Sequence, residues 1–184
     1  MSRSTVIAAL AVFLIASASL AQPPGLWSQS TLSVPEKEAK PHSGTLVVVA
    51  DPAKPLTLNL ADLLTMPRTT ITVKQPDGRG VTHEGVLVAE LLKRVGVPLG
   101  KALRGDAMAT YVVASATDGY RVVFSLAELD PEFTGSEILV VDRTNGQPLL
   151  PDQGPIRMVA PKDLAGARSI RMLERIEVVR PPKQ

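Results

Sequence analysis

The segment from residue 147 to residue 171 concentrates side chains that could bind an anion. It carries three arginines, one lysine and two smaller polar residues: Gln153, Arg157, Lys162, Arg168, Ser169 and Arg171. Guanidinium groups and free backbone N–H groups both favour a phosphate or sulfate, and these cations would converge if the segment folds back on itself. The same residues also suit strand edges and turns, so composition leaves both interpretations open.

Other familiar catalytic patterns are missing from the sequence. The chain has no Cys, which excludes thiol nucleophiles, zinc–thiolate sites, iron–sulfur clusters and disulfides. No serine stands on a Gly-flanked elbow with a His partner. His83-Glu84 lacks the H-E-x-x-H extension of zinc enzymes, and Gly78-Arg79-Gly80 matches neither familiar phosphate-binding loop. The sequence therefore predicts no catalytic triad and no metal site.

Length and charge limit the class of protein further. The 184 residues provide for one ordinary domain, and 20 Lys and Arg against 18 Asp and Glu give a net charge of +2. There are only 1 Trp, 2 Tyr and 3 Phe, too few for base-stacking surfaces, and no long basic run. We expect no nucleic-acid partner.

The N-terminus has the pattern of a secretory signal peptide. Arg3 precedes an apolar run from Val6 to Ile15, and small residues follow up to Ala21. We expect cleavage before Gln22, a periplasmic or secreted protein, and no stable membrane span after removal of the signal. Residues 22–43 lack apolar periodicity and are expected to form an extended arm.

The remaining chain predicts an α+β domain over residues 44–180, with mixed β-sheets, a few short helices and a tail at 181–184. Three turn sequences separate β-rich runs: Gln75–Gly80, Thr117–Gly119 and Asn145–Gly146. The best helix is predicted over Val86–Val95 with Gly96 as its C-terminal cap, and His83 is expected to cap or flank it.

Five short motifs occur in order between Leu46 and Val179: HEGVL, TDGY, NGQPL, GPIR and SIR. Their order and spacing resemble the molybdopterin-binding core domain of sulfite-oxidase-type oxidoreductases, which include the periplasmic methionine-sulfoxide reductase catalytic subunit. The resemblance implies that fold and a pterin cofactor. The resemblance implies that Gln153, Arg157, Ser169 and Arg171 bind the pterin phosphate and ring. Arg171 stands where the family usually has Lys, which keeps the charge but not the shape.

The sequence departs from that family at the residue that binds the metal. The family's enzymes bind molybdenum through a Cys in the loop after the strand that resembles Thr69–Val73, and this chain has Lys74–Gly80 there. His83 also replaces a Trp that is common in the family. Without the soft sulfur donor, we do not expect molybdenum redox chemistry by the family mechanism.

Three functions remain open. The favoured one is an exported, non-catalytic relative acting as a binding or accessory protein, with a small anionic ligand or a periplasmic protein as partner. The others are a pterin or molybdopterin binder and an oxidoreductase with a non-thiolate metal site. Asp118 and Tyr120 are expected to shape a hairpin, with a role facing a substrate as the alternative.

Overall fold

The computed structural model describes residues 44–75 and 77–182. The predicted signal peptide at 1–21 and the predicted arm at 22–43 lie outside the described residues, as do Pro76 and the last two residues of the tail.

The first sheet has five strands in the spatial order β2-β1-β10-β5-β6. Strands β1 and β10 pair in parallel, and all other pairs in this sheet are antiparallel. The predicted hairpin at Thr117–Gly119 joins β5 to β6 and is confirmed. The strand bounds are β1 Thr45–Val49, β2 Leu56–Asn59, β5 Tyr111–Ala116, β6 Arg121–Ser125 and β10 Leu173–Val179.

The second sheet is antiparallel and is organised around β7. Strand β4 pairs with one edge of β7, β3 pairs with the far edge of β4, and the short strands β8 and β9 share the other edge of β7. The turn at Asn145–Gly146 joins β7 to β8, as predicted. The bounds are β3 Thr69–Lys74, β4 Gly80–Leu87, β7 Leu139–Thr144, β8 Gln147–Pro148 and β9 Arg157–Val159.

The α-helices that the structure describes are short. They are α1 Leu60–Leu64, α2 Val88–Arg94, α3 Leu126–Leu129 and α4 Pro131–Thr134. The predicted start of the main helix at Val86 is wrong, because Val86 and Leu87 still belong to β4. His83 therefore does not cap α2, whose N-cap residue Leu87 makes no side-chain cap bond. None of these helices has the length and apolar character needed to cross a lipid bilayer.

The main core lies between the two sheets. Phe124 and Ala114 from the first sheet and Val86, Val140 and Met158 from the second are fully buried in one cluster, together with apolar residues of α2. Side chains alternate along a strand, so the odd-numbered residues of β4 project from the other face of the second sheet. That outer face carries a small apolar cluster built on Leu139, Val141 and Val159. The α+β class expected from the sequence is confirmed.

A β-bulge fixes the pairing of β4 with β7. His83 opposes Thr144 and Glu84 opposes Arg143, but Gly85 opposes Val141, so Asp142 is the extra residue. The buried Asp142 carboxylate accepts two hydrogen bonds from Arg68, one from Nη1 and one of 2.7 Å from Nη2. The strands approach closely here: a Cβ on Gly85 would lie 2.0 Å from the carbonyl oxygen of Val140.

Gly85→Ala should therefore destabilise the fold by about 3 kcal/mol or more, because backbone rather than a flexible side chain occupies the space. Urea unfolding of Gly85→Ala measures this loss. Gly166→Ala is the matched control, since nothing lies within 4 Å of the Cβ it would add. Equal stability of the two variants would contradict the close approach.

Candidate functional site

The outer face of the second sheet carries a cleft of about 470 Å³. We call it the main cleft. Strand β4 contributes Val81 and His83, and Gln75, at the end of β3, stands beside them. The other lining residues come from β7, β8, β9 and the loop before β9: Thr144, Gln147, Pro148, Leu149, Leu150, Gln153 and Arg157.

A second depression of about 300 Å³, the side groove, continues from the main cleft. The two share Gln75, His83 and Arg157 as lining residues. The side groove adds Lys74, Asp163, Leu164 and Ser169, among others. Arg157 and His83 thus lie between two open spaces rather than inside one packed region.

Arg157 is the cation at the centre of this face. Its Nη1 donates a 2.8 Å hydrogen bond to Oε1 of Gln153, and its Nε is buried with no hydrogen-bond partner among the described residues. Burial lowers the pKa of Arg157 from its usual value, and the charge of Arg171 lowers it further. Asp152 acts in the opposite direction, but its exposed carboxylate accepts from Gln153 and not from Arg157.

Ser169 lies in the side groove and helps to close its loop. Its Oγ accepts a 3.1 Å hydrogen bond from the backbone N–H of Ala160, and its hydroxyl can still donate. Its neighbour Arg168 holds the segment in place. Arg168 donates to both carboxylate oxygens of Asp163, at 2.7 and 2.8 Å, and to Glu128 of α3 at 2.7 Å. Its guanidinium also lies 4.8 Å from the ring centroid of Phe124.

Arg171 borders neither the main cleft nor the side groove. It is exposed, with Nη1 4.0 Å from Asp152 Oδ2, and it borders a different depression of about 260 Å³ that also contacts Ser169. Asp118 and Tyr120 border this depression too. Asp118 accepts from the backbone N–H of Tyr120, and the Tyr120 hydroxyl donates to the carbonyl of Ala167, so both shape the hairpin and its neighbour.

Of the two interpretations that composition left open, the structure favours the one in which most of these cations serve strand edges and turns. Lys162 donates to the backbone carbonyls of Thr134 and Gly135, and Arg168 is engaged by two carboxylates. Of the four predicted residues, Arg157 and Gln153 are in direct contact, Ser169 shares the side groove with Arg157, and Arg171 stands outside both spaces. Their ligand-binding roles stay predictions.

His83 belongs to the cleft, although the sequence suggested a helix cap. It is 6% exposed, and its Nδ1 lies 3.1 Å from Thr144 Oγ1 across the β4–β7 pair. Burial lowers the pKa of the imidazole from its usual value near 6.5, and the charge of Arg157 lowers it further. The alternation of Val81, His83 and Leu87 on one strand face is the sequence signal that could have placed it here.

Comparison with protein families matches residues 78–184, more than half of the 184-residue chain, to the oxidoreductase molybdopterin binding domain. The chain belongs to the oxidoreductase molybdopterin-binding domain family. The matched region includes β4 to β10 and so all residues of the main cleft except Gln75.

A solved structure supports the fold of this molybdopterin-binding-family domain. The chain is similar to the crystal structure of the sulfane dehydrogenase SoxCD from Paracoccus pantotrophus, with 20% sequence identity and a TM-score of 0.59. The alignment covers 78% of this chain and 40% of that one. The likeness shows the fold alone. Comparison with curated proteins gives no match.

The residues present fit part of the family's cofactor. The buried Nε of Arg157 needs an acceptor, and a phosphate oxygen would supply one. The metal does not fit: the loop from Lys74 to Gly80 offers no thiolate, and the Asp77 carboxylate in it is bonded to the backbone N–H and Nε of Arg79. Within residues 44–75 and 77–182, no three His, Asp or Glu side chains are grouped as metal ligands.

The buried state of His83 predicts a pH dependence of stability. Its pKa is lower in the folded chain than in the unfolded chain, so the unfolded state binds the proton more tightly between the two values. The contribution of neutral His83 to the free energy of unfolding is fully present above pH 6.5, and it is lost as the pH falls through the pKa of His83 in the folded state. Urea unfolding between pH 8 and pH 5 should show this loss in the native chain and a smaller one in His83→Gln. Parallel pH curves for the two proteins would contradict it.

Proposed function

We propose that this chain is an exported, non-catalytic member of its family that binds a small anionic ligand of the pterin-phosphate class in the main cleft. The observation that supports the proposal is the buried Nε of Arg157, which has no partner among the described residues. The predicted signal peptide supports the proposed periplasmic or secreted location.

The charge balance around Arg157 favours an anion. A buried N–H without a hydrogen-bond acceptor is costly, and a bound anion would supply the acceptor that the Nε of Arg157 lacks among the described residues. Gln153 offers Arg157 a neutral amide oxygen and so orients the guanidinium without cancelling its charge. A phosphate accepting from Nε and a terminal nitrogen would form charge-assisted bonds that Gln153 cannot.

The rest of the cleft suits a ligand with a ring attached to its anion. A volume of about 470 Å³ lies within the usual range for small-molecule sites. Three glutamine amides, Gln75, Gln147 and Gln153, supply donors and acceptors for ring substituents. Pro148, Leu149 and the exposed side chain of Leu150, with 67% of its surface accessible, provide an apolar wall. This combination matches a flat heterocycle better than it matches an inorganic ion.

We propose that the chain does not catalyse a redox reaction, because it lacks the side chain that binds the metal in the family's enzymes. Family enzymes bind molybdenum through a cysteine thiolate, and this chain has none. Its loop instead carries Asp77 and Arg79, which are bonded to each other. Retention of the anion pocket and loss of the metal ligand together indicate binding without turnover.

Arg157→Met should weaken binding of 6-hydroxymethylpterin phosphate about 10-fold or more, since charge-assisted hydrogen bonds contribute roughly 1.5–3 kcal/mol each. Isothermal calorimetry measures the affinity. Arg121→Met on the exposed side of β6, outside the main cleft and the side groove, is the matched control and should bind like the native chain.

The stability of the same variants separates binding from folding. Arg157→Met removes a buried N–H that lacks a partner, so its urea midpoint should equal or exceed that of the native chain. Native affinity in Arg157→Met, or no binding by the native chain, would refute the proposed site.

A further inference from the structure

We propose that His83 is a second ligand-binding residue of the main cleft, which takes up a proton when an anion binds to Arg157 and donates its ring N–H to that anion. This inference rests on the proposed function and adds a regulatory property to it: affinity that rises as the pH falls.

The fold places the two residues on the same open face. Strands β4 and β9 flank β7, with His83 opposite Thr144 and Arg157 opposite Val141. Both side chains border the main cleft and the side groove. An anion held by Arg157 would therefore occupy space that His83 also lines.

The hydrogen bond of His83 is compatible with both protonation states. Nδ1 lies 3.1 Å from Thr144 Oγ1, and a hydroxyl can either donate to a neutral imidazole nitrogen or accept from a protonated one. Protonation therefore does not break this contact. The other ring nitrogen makes no hydrogen bond with a described residue and is left for a ligand.

The charge that acts on His83 is the positive charge of Arg157 on β9. Lys74 on β3 also borders the side groove, but its side chain alternates with the outer-face side chain of Val73. The carboxylate of the side groove, Asp163, is held by two hydrogen bonds from Arg168. The facing residues of β7, β8 and the loop before β9 are neutral: Thr144, Gln147 and Gln153. Glu84 and Arg143 project to the other side of the sheet, because side chains alternate along a strand.

A bound anion would reverse the balance of charge around His83. Burial and the charge of Arg157 hold the pKa of His83 below its usual value. A bound dianion cancels the charge of Arg157 and attracts the imidazolium, so the pKa of His83 rises on binding. By linkage, each unit of that rise strengthens anion binding about tenfold between high and low pH.

Sulfate is the probe of choice, because it stays a dianion between pH 5 and pH 8 and any pH dependence belongs to the protein. The chain contains 2 histidines, so in a His42→Gln background the imidazole NMR signals report on His83 alone. We expect sulfate to raise the pKa of His83 and to bind more tightly at pH 5.5 than at pH 8, by up to about tenfold if the pKa rises by about one unit.

Two variants complete the test. His83→Gln keeps a polar side chain and should bind sulfate with an affinity independent of pH. In Arg157→Met, sulfate should leave the pKa of His83 unchanged, and that pKa should be higher than in the sulfate-free native chain because a neighbouring positive charge is gone.

The outcomes distinguish the two proposals. Sulfate binding that is equally tight at pH 5.5 and pH 8, with an unchanged pKa for His83, would overturn the role of His83 and leave the anion site intact. Failure of the native chain to bind either sulfate or 6-hydroxymethylpterin phosphate at any pH would overturn the anion site and this inference with it. If His83→Gln does not fold, the NMR titration of His83 in the His42→Gln background still tests the role of His83.

Discussion

The pairing of β7 with strands on both of its edges determines where the cleft residues lie. On one edge, the close approach of Gly85 to the Val140 carbonyl sets the register that puts His83 beside Thr144. On the other edge, β9 brings Arg157 opposite Val141, and the turn at Asn145–Gly146 returns the chain along β8. A shift of one residue in either pairing would turn these side chains to the opposite face. The cleft therefore depends on backbone contacts within the sheet.

Arg68, Arg157 and Arg168 differ in the partners that the fold gives them. Arg68 and Arg168 are satisfied by carboxylates, and they stabilise the bulge and the segment that carries Ser169. Arg157 instead bonds to a neutral glutamine and keeps a buried N–H without an acceptor among the described residues. Arg68 and Arg168 thus complete the fold, whereas Arg157 is the arginine that we propose for ligand binding. In the proposed function, Arg157 is the main source of specificity for the anion.

Much of the fold could be predicted from local sequence. The turns at Thr117–Gly119 and Asn145–Gly146 contain residues that accept positive φ, and both join antiparallel strands in the structure. The start of α2 was misplaced because Val86 and Leu87 are apolar and fit either a strand or a helix. Gln153 and Arg157 could be identified by resemblance. The contact of His83 with Thr144 could not be predicted, because it spans 61 residues and depends on strand register.

We propose that this chain keeps an anion-binding cleft of the molybdopterin-binding fold without its metal. The most direct test is to purify the native chain from a host that makes molybdopterin and to measure released pterin by fluorescence and molybdenum by elemental mass spectrometry. We expect bound pterin with molybdenum far below one atom per chain. One molybdenum per chain would contradict it, because a metal would then be held without the thiolate donor.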